Sequence, residues 1–269
     1  NTGDITQDAA TRYPDGGDNM KNIAAYASNK WEINKNLIFS QGIRFNYVSL
    51  EAKYTQAMMD LIKFPFDATM KQDNTAVNGS LGLVVMPGNG WRFATNLSTG
   101  FRAPNIDDLT KLNDSNSTDQ LIIVPNPDLK PENAYNAELT LGKTFGSKFQ
   151  VEVTGFYTIL ADAFVVQPFL YNGHDSIVFD GKLSAVQAMQ NVDKATIYGI
   201  ESNLAAQLTK SLSLQSSITY TFGQVKKGEV PLDHIPPIFG ITSLKLELNK
   251  FTGEFFTRYN GWKHIKDYS

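Results

Sequence analysis

The chain has 269 residues, 42% hydrophobic and 12% aromatic, with 24 Lys and Arg against 27 Asp and Glu and no cysteine. That length allows one large domain or two modest ones. A net charge of -3 with scattered cations offers no field for a nucleic-acid backbone, and the lack of thiols removes disulfide frameworks, thiolate metal sites and cysteine nucleophiles.

Residues 1–20, NTGDITQDAATRYPDGGDNM, are a polar segment unlike a signal peptide, and no apolar run reaches the ~18 residues of a spanning helix. From about residue 21 onward the dominant signal has period two, the spacing that sends side chains to opposite faces of a strand. It predicts strands at about 21–33 and at 37–47, where Leu37, Phe39, Ile43, Phe45 and Tyr47 oppose Ser40, Gly42, Arg44 and Asn46. TQAMMDLIKF, 55–64, reads as a short helix in the following loop. Strands follow at 75–87 and 91–101, the latter with Trp91, Phe93, Thr95, Leu97, Thr99 and Phe101 on one face and Arg92, Ala94, Asn96, Ser98 and Gly100 on the other. The same split recurs at 134–145 and 149–159. KLSAVQAMQN, 182–191, reads as a second short loop helix, and further strands are predicted at 192–209, 212–223, 238–249 and 251–263.

Short turns at 34–36, 87–90, 146–148, 209–211 and near Asn249 alternate with long connections at about 54–74, 102–132 and 167–191 and a shorter one at 227–237. An up-and-down meander with short turns at one end and long loops at the other is the pattern of an outer-membrane barrel. Aromatics gather near the short-turn ends (Trp31, Trp91, Phe93, Phe145, Phe149) and again near the long-loop ends (Tyr47, Phe101, Tyr135, Tyr157, Tyr220, Tyr259). Ten residues at ~3.4 Å each, tilted near 45°, climb about 24 Å, close to the ~25 Å apolar band of such barrels. Alternation alone also fits a soluble sandwich; strands of this length favour the membrane barrel.

Two stretches break the strand pattern, STGFRAPNIDDL and VPNPDLKPENAYNAEL. They resemble the paired FRAP and NPDL boxes of TonB-dependent outer-membrane receptors, here Phe101, Arg102, Ala103 and Pro104, then Asn126, Pro127, Asp128 and Leu129 with Lys130, Pro131 and Glu132. The resemblance covers about 21–263. It implies an all-β fold, an antiparallel meander forming part of a 22-stranded transmembrane barrel, with about ten strands present, residues 1–20 as a polar loop segment and 21–269 as a partial barrel domain. An N-terminal plug and about three last strands are expected to lie outside this chain. The family further implies a place in the outer membrane of a Gram-negative bacterium, contact with outer-membrane lipid, energised uptake of a ferric siderophore or similar chelate, and coupling to the TonB complex through the plug. The alternative is a barrel or soluble β-domain with a structural or interaction role.

Pro104, Pro125, Pro127 and Pro131 end strand pairing, because proline has no N–H to donate. Arg102 continues the inward series Arg92, Asn96, Ser98, so its fixed donors are expected to bridge carboxylates or meet the plug, with Glu138, Glu152 and Glu201 as candidate partners. The motif residues are therefore read as mainly structural. NIDDLTKL is expected to form a helical turn capped by Asn105, with Asp107 and Asp108 as first-turn acids rather than a catalytic pair. Phe169, Tyr171 and His174 sit on a long external loop and are the candidate ligand contacts. His174, His234 and His264 lack metal-ligand spacing, and NDSNSTD, 113–119, lacks an EF-hand's spacing and glycine. Residues 105–125 contain no histidine, which in this family makes a siderophore a better expectation than haem. No phosphate loop, nucleophile elbow or HExxH motif calls for an enzyme, and neither a metal nor a cofactor is expected.

Overall fold

In the computed structural model of the protein, residues 13–62, 67–110, 112–114, 120–179, 182–226, 231–232, 235 and 238–262 are described. The elements in chain order are β1 (Asp18–Asn34), β2 (Leu37–Lys53), α1 (Gln56–Ile62), β3 (Thr69–Gly88), β4 (Trp91–Arg102), α2 (Ile106–Thr110), β5 (Asn113–Asp114), β6 (Leu121–Val124), β7 (Glu132–Phe145), β8 (Phe149–Pro168), β9 (Ser176–Phe179), β10 (Lys182–Gln207), β11 (Leu212–Val225), β12 (Ile238–Leu248) and β13 (Phe251–Asn260). They form one 13-stranded sheet whose main path, β1-β2-β3-β4-β7-β8-β10-β11-β12-β13, follows the chain, with β5, β6 and β9 as side branches at the loop end. Neighbours on that path are antiparallel throughout. Strands β1 and β13 are the two edges and do not pair with each other.

The ten path strands are the ten that the alternation predicts, lengthened mostly at the loop end. The turn after β3 carries Gly88, Asn89 and Gly90, all at positive φ (106°, 51° and 76°). Glycine and asparagine tolerate that region, and there the chain reverses. One expectation is overturned. Residues 182–191 are not a helix but the first part of β10, which pairs with β8, β9 and β6. Ala, Gln and Met give the segment helical propensity, yet hydrogen-bonding partners on both sides outweigh a preference worth only tenths of a kcal/mol per residue.

Side-chain placement is inverted relative to a soluble protein. Outward positions along the wall are large and apolar: Ile43, Val77, Leu97, Leu139 and Ile200 are all exposed, Leu139 by 70%. Inward positions carry a polar network. Arg44 donates to Asn46 (2.7 Å), Asn46 donates to Asn78 (2.9 Å), and Asn136 donates to Glu138 (2.8 Å). An apolar face turned outward over long strands requires a hydrocarbon solvent, since in water such a surface would drive aggregation. Rings meet along its two borders: at the short turns Trp91 stacks on Phe93 (6.1 Å) and Phe145 packs tilted against Phe149 (5.5 Å), and toward the loops Tyr157 stacks on Tyr198 (6.2 Å) and Tyr198 packs tilted against Phe222 (5.4 Å). At the short-turn border the Lys143 ammonium lies 4.5 Å from the Trp91 ring centroid, reaching toward the interface as long cationic side chains do.

The truly buried clusters lie at the loop end. One joins Tyr54, Met58, Met70, Leu112, Ile122, Val124, Val186 and Ala188, and a second joins Leu50, Ala52, Leu109 and Leu129. Strand β6 runs parallel to residues 185–188 of β10 and antiparallel to β5, so the loops build a small sheet of their own. In the wall below, β3 and β4 part company. Their pairing runs from Gly88↔Trp91, through a register shift, up to Ser80↔Ser98 and stops, although β4 continues to Arg102.

Candidate functional site

The connection from β4 to β7 crosses the mouth of the curved sheet, and its chemistry starts at Arg102. Pro104 and Pro125 are fully buried, which ends strand pairing without leaving a buried N–H unmet. Asn105 then caps α2. Its Oδ1 accepts from the Asp108 N–H (2.9 Å) while Asp108 Oδ2 accepts from the Asn105 N–H (3.0 Å), a reciprocal box with aspartate in the usual glutamate place. The same Asp108 carboxylate accepts two bonds from Arg102 Nη2 (3.0 and 2.8 Å), and Arg102 Nη1 donates to Glu132 (2.9 Å). The guanidinium also lies 4.7 Å from the Phe164 ring centroid. Asp108 is 7% exposed, so its charge is out of water and depends on Arg102 and the Asn105 N–H.

Further bonds fasten this loop and its junction with β7 to four parts of the wall. The Tyr54 hydroxyl donates to the Thr110 carbonyl (2.6 Å) and Gln72 donates to the Leu129 carbonyl. Asn126 turns on itself by accepting from the Asp128 N–H (3.1 Å) and donates to the Met189 carbonyl (2.7 Å). Asn191 accepts from the Lys130 N–H and donates back to the Lys130 carbonyl (2.7 and 2.8 Å), and the Phe164 N–H donates to Glu132. Burial pushes the Tyr54 phenol well above its usual range. The described residues of the loop thus form a lintel tied to the wall at several points.

None of the three glutamates nominated for Arg102 reaches it. Glu152 pairs with Arg92 (2.8 Å), Glu138 accepts from Asn136, and Glu201 accepts from Asn203 (2.6 Å). The real partners, Asp108 and Glu132, lie six residues beyond Arg102 and at the start of the next strand. Glu132 stands directly opposite Arg102 in the register, and the strict meander was the signal that could have paired them. Asn191, Gln72 and Tyr54 carry no such signal, because each acts through a backbone group far away in sequence.

Phe169 and Tyr171 are half-buried against the first loop cluster. His174 is exposed at the tip of a tight hairpin whose backbone bonds to Tyr171 in both directions (2.9 Å each). Beside them is a cavity of about 330 Å³ lined by Leu121, Phe169, Leu170, Asp175, Ala185 and Gln187. It has an apolar floor, with the Asp175 carboxylate, the Ser176 hydroxyl and the Gln187 amide on its lining, and among the three nominated residues Phe169 lines it. His234, His264 and residues 115–119 of NDSNSTD lie outside the described residues. Among the described residues, no group of three or more His, Asp or Glu side chains is placed to hold a metal ion.

Residues 1–266 match the family model described as TonB dependent receptor-like, beta-barrel. The iron-regulated outer membrane virulence protein of Vibrio cholerae is 31% identical over 54% of this chain and 22% of its own length. The hemoglobin and hemoglobin-haptoglobin-binding protein A of Haemophilus influenzae is 26% identical over 92% of this chain and 26% of its own. The chain thus spans about a quarter of the length of these curated relatives. Among solved structures, the copper transporter OprC superposes with a TM-score of 0.65 at 18% identity, over 89% of this chain and 35% of that one. The ferric enterobactin receptor of Pseudomonas aeruginosa gives 0.62 at 14% identity, over 91% and 41%. With the inverted wall, the aromatic borders and the family match over nearly its whole length, this chain belongs to the TonB-dependent receptors of the outer membrane, as part of their β-barrel.

Proposed function

We propose that the full-length protein carrying this chain takes up a ferric siderophore or a similar iron chelate, binding it on the loop crown and admitting it through the barrel when a plug domain is moved by the TonB complex. The family is one of receptors and transporters rather than enzymes. The observation that carries the choice of ligand class is the crown cavity beside Phe169, which sets an apolar floor next to the Asp175 carboxylate and the Gln187 amide. Such a mixture suits a chelate with an organic shell and polar arms. Phe169, Tyr171 and His174 are the proposed contacts, Phe169 by stacking in the cavity and His174 from the exposed tip. The lintel holds the neighbouring loop still and so lowers the ordering cost of binding.

Haem is the second reading, favoured by the name of the Haemophilus relative and by the exposed imidazole of His174. The absence of histidine from residues 105–125 weighs against it. The test is uptake of radiolabelled iron by cells bearing the full-length receptor, offered as ferric siderophores or as haem. A siderophore should be taken up, with Phe169→Ala lowering its affinity by about tenfold. Uptake of haem alone, lost in His174→Ala, would replace the first reading with the second. Growth under iron limitation unaffected by deleting the gene would refute both.

A further inference from the structure

On the outward face, the parting of β3 and β4 opens into a groove of about 590 Å³. Val77, Leu81, Leu97 and Tyr157 form its sides, and Gly79 and Ala137, where large side chains are missing, form its floor. These positions continue the apolar face that meets the bilayer. At the upper end, beyond Ser80↔Ser98, no register pair joins the strands. One bond spans the gap there, from the Gly79 N–H to Thr99 Oγ1 (2.9 Å), a side-chain hydroxyl standing in for a ladder carbonyl. Antiparallel strands point alternate backbone groups at their neighbour, so β3 and β4 present polar groups without ladder partners at the level of Tyr135, which stands opposite Thr99.

We infer that this groove is a seat for one outer-leaflet lipid, with an acyl chain lying between Leu81, Leu97 and Tyr157 and its polar linkage meeting the unladdered backbone at Gly79 and Thr99. The occupant follows from continuity with the lipid-facing wall. A groove open to hydrocarbon fills with hydrocarbon, and backbone polar groups at the edge of the bilayer are costly until something hydrogen-bonds them. A lipid supplies both, the chain below and ester or hydroxyl oxygens above. Tyr135 and Tyr157, half-exposed at this border, suit an interface where one end is apolar and the other wet.

The test uses the full-length receptor, extracted in mild detergent and analysed by native mass spectrometry for retained lipid. Gly79→Leu fills the floor. A Cβ at that position meets only the Gly42 carbonyl oxygen, at 3.6 Å, so the backbone there has room for a side chain to begin. Phe255→Leu, on the same face but outside the groove, is the control. The expected result is one retained lipid in the parent protein and in Phe255→Leu, with retention about tenfold lower in Gly79→Leu. Equal retention in the two variants would overturn the assignment, as would a parent protein that keeps no lipid or that buries this face in a second copy of itself. Iron uptake is not read, so the outcome is independent of the ligand proposed above.

Discussion

Strand β2 passes through two solvents. From Leu37 to Phe45 its outward face is mainly large and apolar, with Ile43 and Phe45 exposed, while Arg44 bonds to Asn46 across a mainly polar inner face; Gln41 outside and Ile38 inside are the exceptions. From Val48 to Ala52 the rule reverses: Val48, Leu50 and Ala52 are buried on the inner side, and Ser49, Glu51 and Lys53 take the outer one. The pleat is unbroken and the register with β1 and β3 continues through the change. Only the surroundings differ. The lower wall needs apolar atoms against lipid, whereas the crown stands in water and needs an ordinary core. The inversion near Asn46 and Tyr47 therefore marks where the strand leaves the membrane, and stability has a different source on each side.

The largest expected effect breaks the lower rule. Leu139→Arg puts a cation on the lipid face of β7 and should destabilise the full-length barrel by about 3 kcal/mol. Thr140→Arg, one residue away on the inner face, should cost less than about 1 kcal/mol. Reversible unfolding in lipid vesicles would measure both.

In the crown the sensitive element is the buried carboxylate. Asp108→Ala keeps the Asn105 cap but removes the acceptor of the Asn105 N–H and leaves Arg102 with Glu132 as its one carboxylate partner among the described residues. Because Arg102 is half exposed, water offsets much of the loss, and the expected cost is about 2 kcal/mol. Hydrogen exchange should rise across 105–130 and stay unchanged in β7 below Tyr135. Tyr54→Phe deletes the bond to the Thr110 carbonyl and should cost about 1 kcal/mol in the same segment.

The smallest effects are those of pH. The Tyr54 phenol is raised by burial, so its contribution is complete below about pH 10 and is lost as pH climbs past that value. Asp15 lies the other way: bonds from the Thr55 hydroxyl and N–H hold its carboxyl below the usual range. That contribution is present above about pH 4 and fades as the solution becomes more acid. Exchange at the start of α1, which Thr55 Oγ1 caps at Met58 (3.2 Å), should therefore quicken in acid, and that around Tyr54 and Thr110 in strong base.

The wall was legible because lipid outside and water inside impose a strict period of two, so 91–101 reads almost as β4 is built. The crown was less legible for the same reason. Residues 48–53 keep the period but exchange its polarity, and a reader following apolar side chains outward stops at Tyr47. In 182–191, Ser184, Val186 and Ala188 are buried in alternation, a strand signal masked by helix-forming side chains. Of the motif, the prolines and the Asn105 cap were readable locally. Asp108 was not readable as a partner of Arg102, because the loop folds back on its own start to bring that carboxylate beside it, whereas Glu132 follows from the register of β4 and β7.

The most direct test of the inverted wall uses the fact that this chain has no cysteine. In a cysteine-free full-length protein, single cysteines at Leu97, Ser98, Leu139 and Thr140 would be challenged in intact outer membranes with a small water-soluble maleimide and with a lipid-phase quencher of an attached probe. Positions 98 and 140 should react with the maleimide while 97 and 139 are reached through the lipid. Equal reaction of all four with the water-soluble reagent would contradict an outward apolar face.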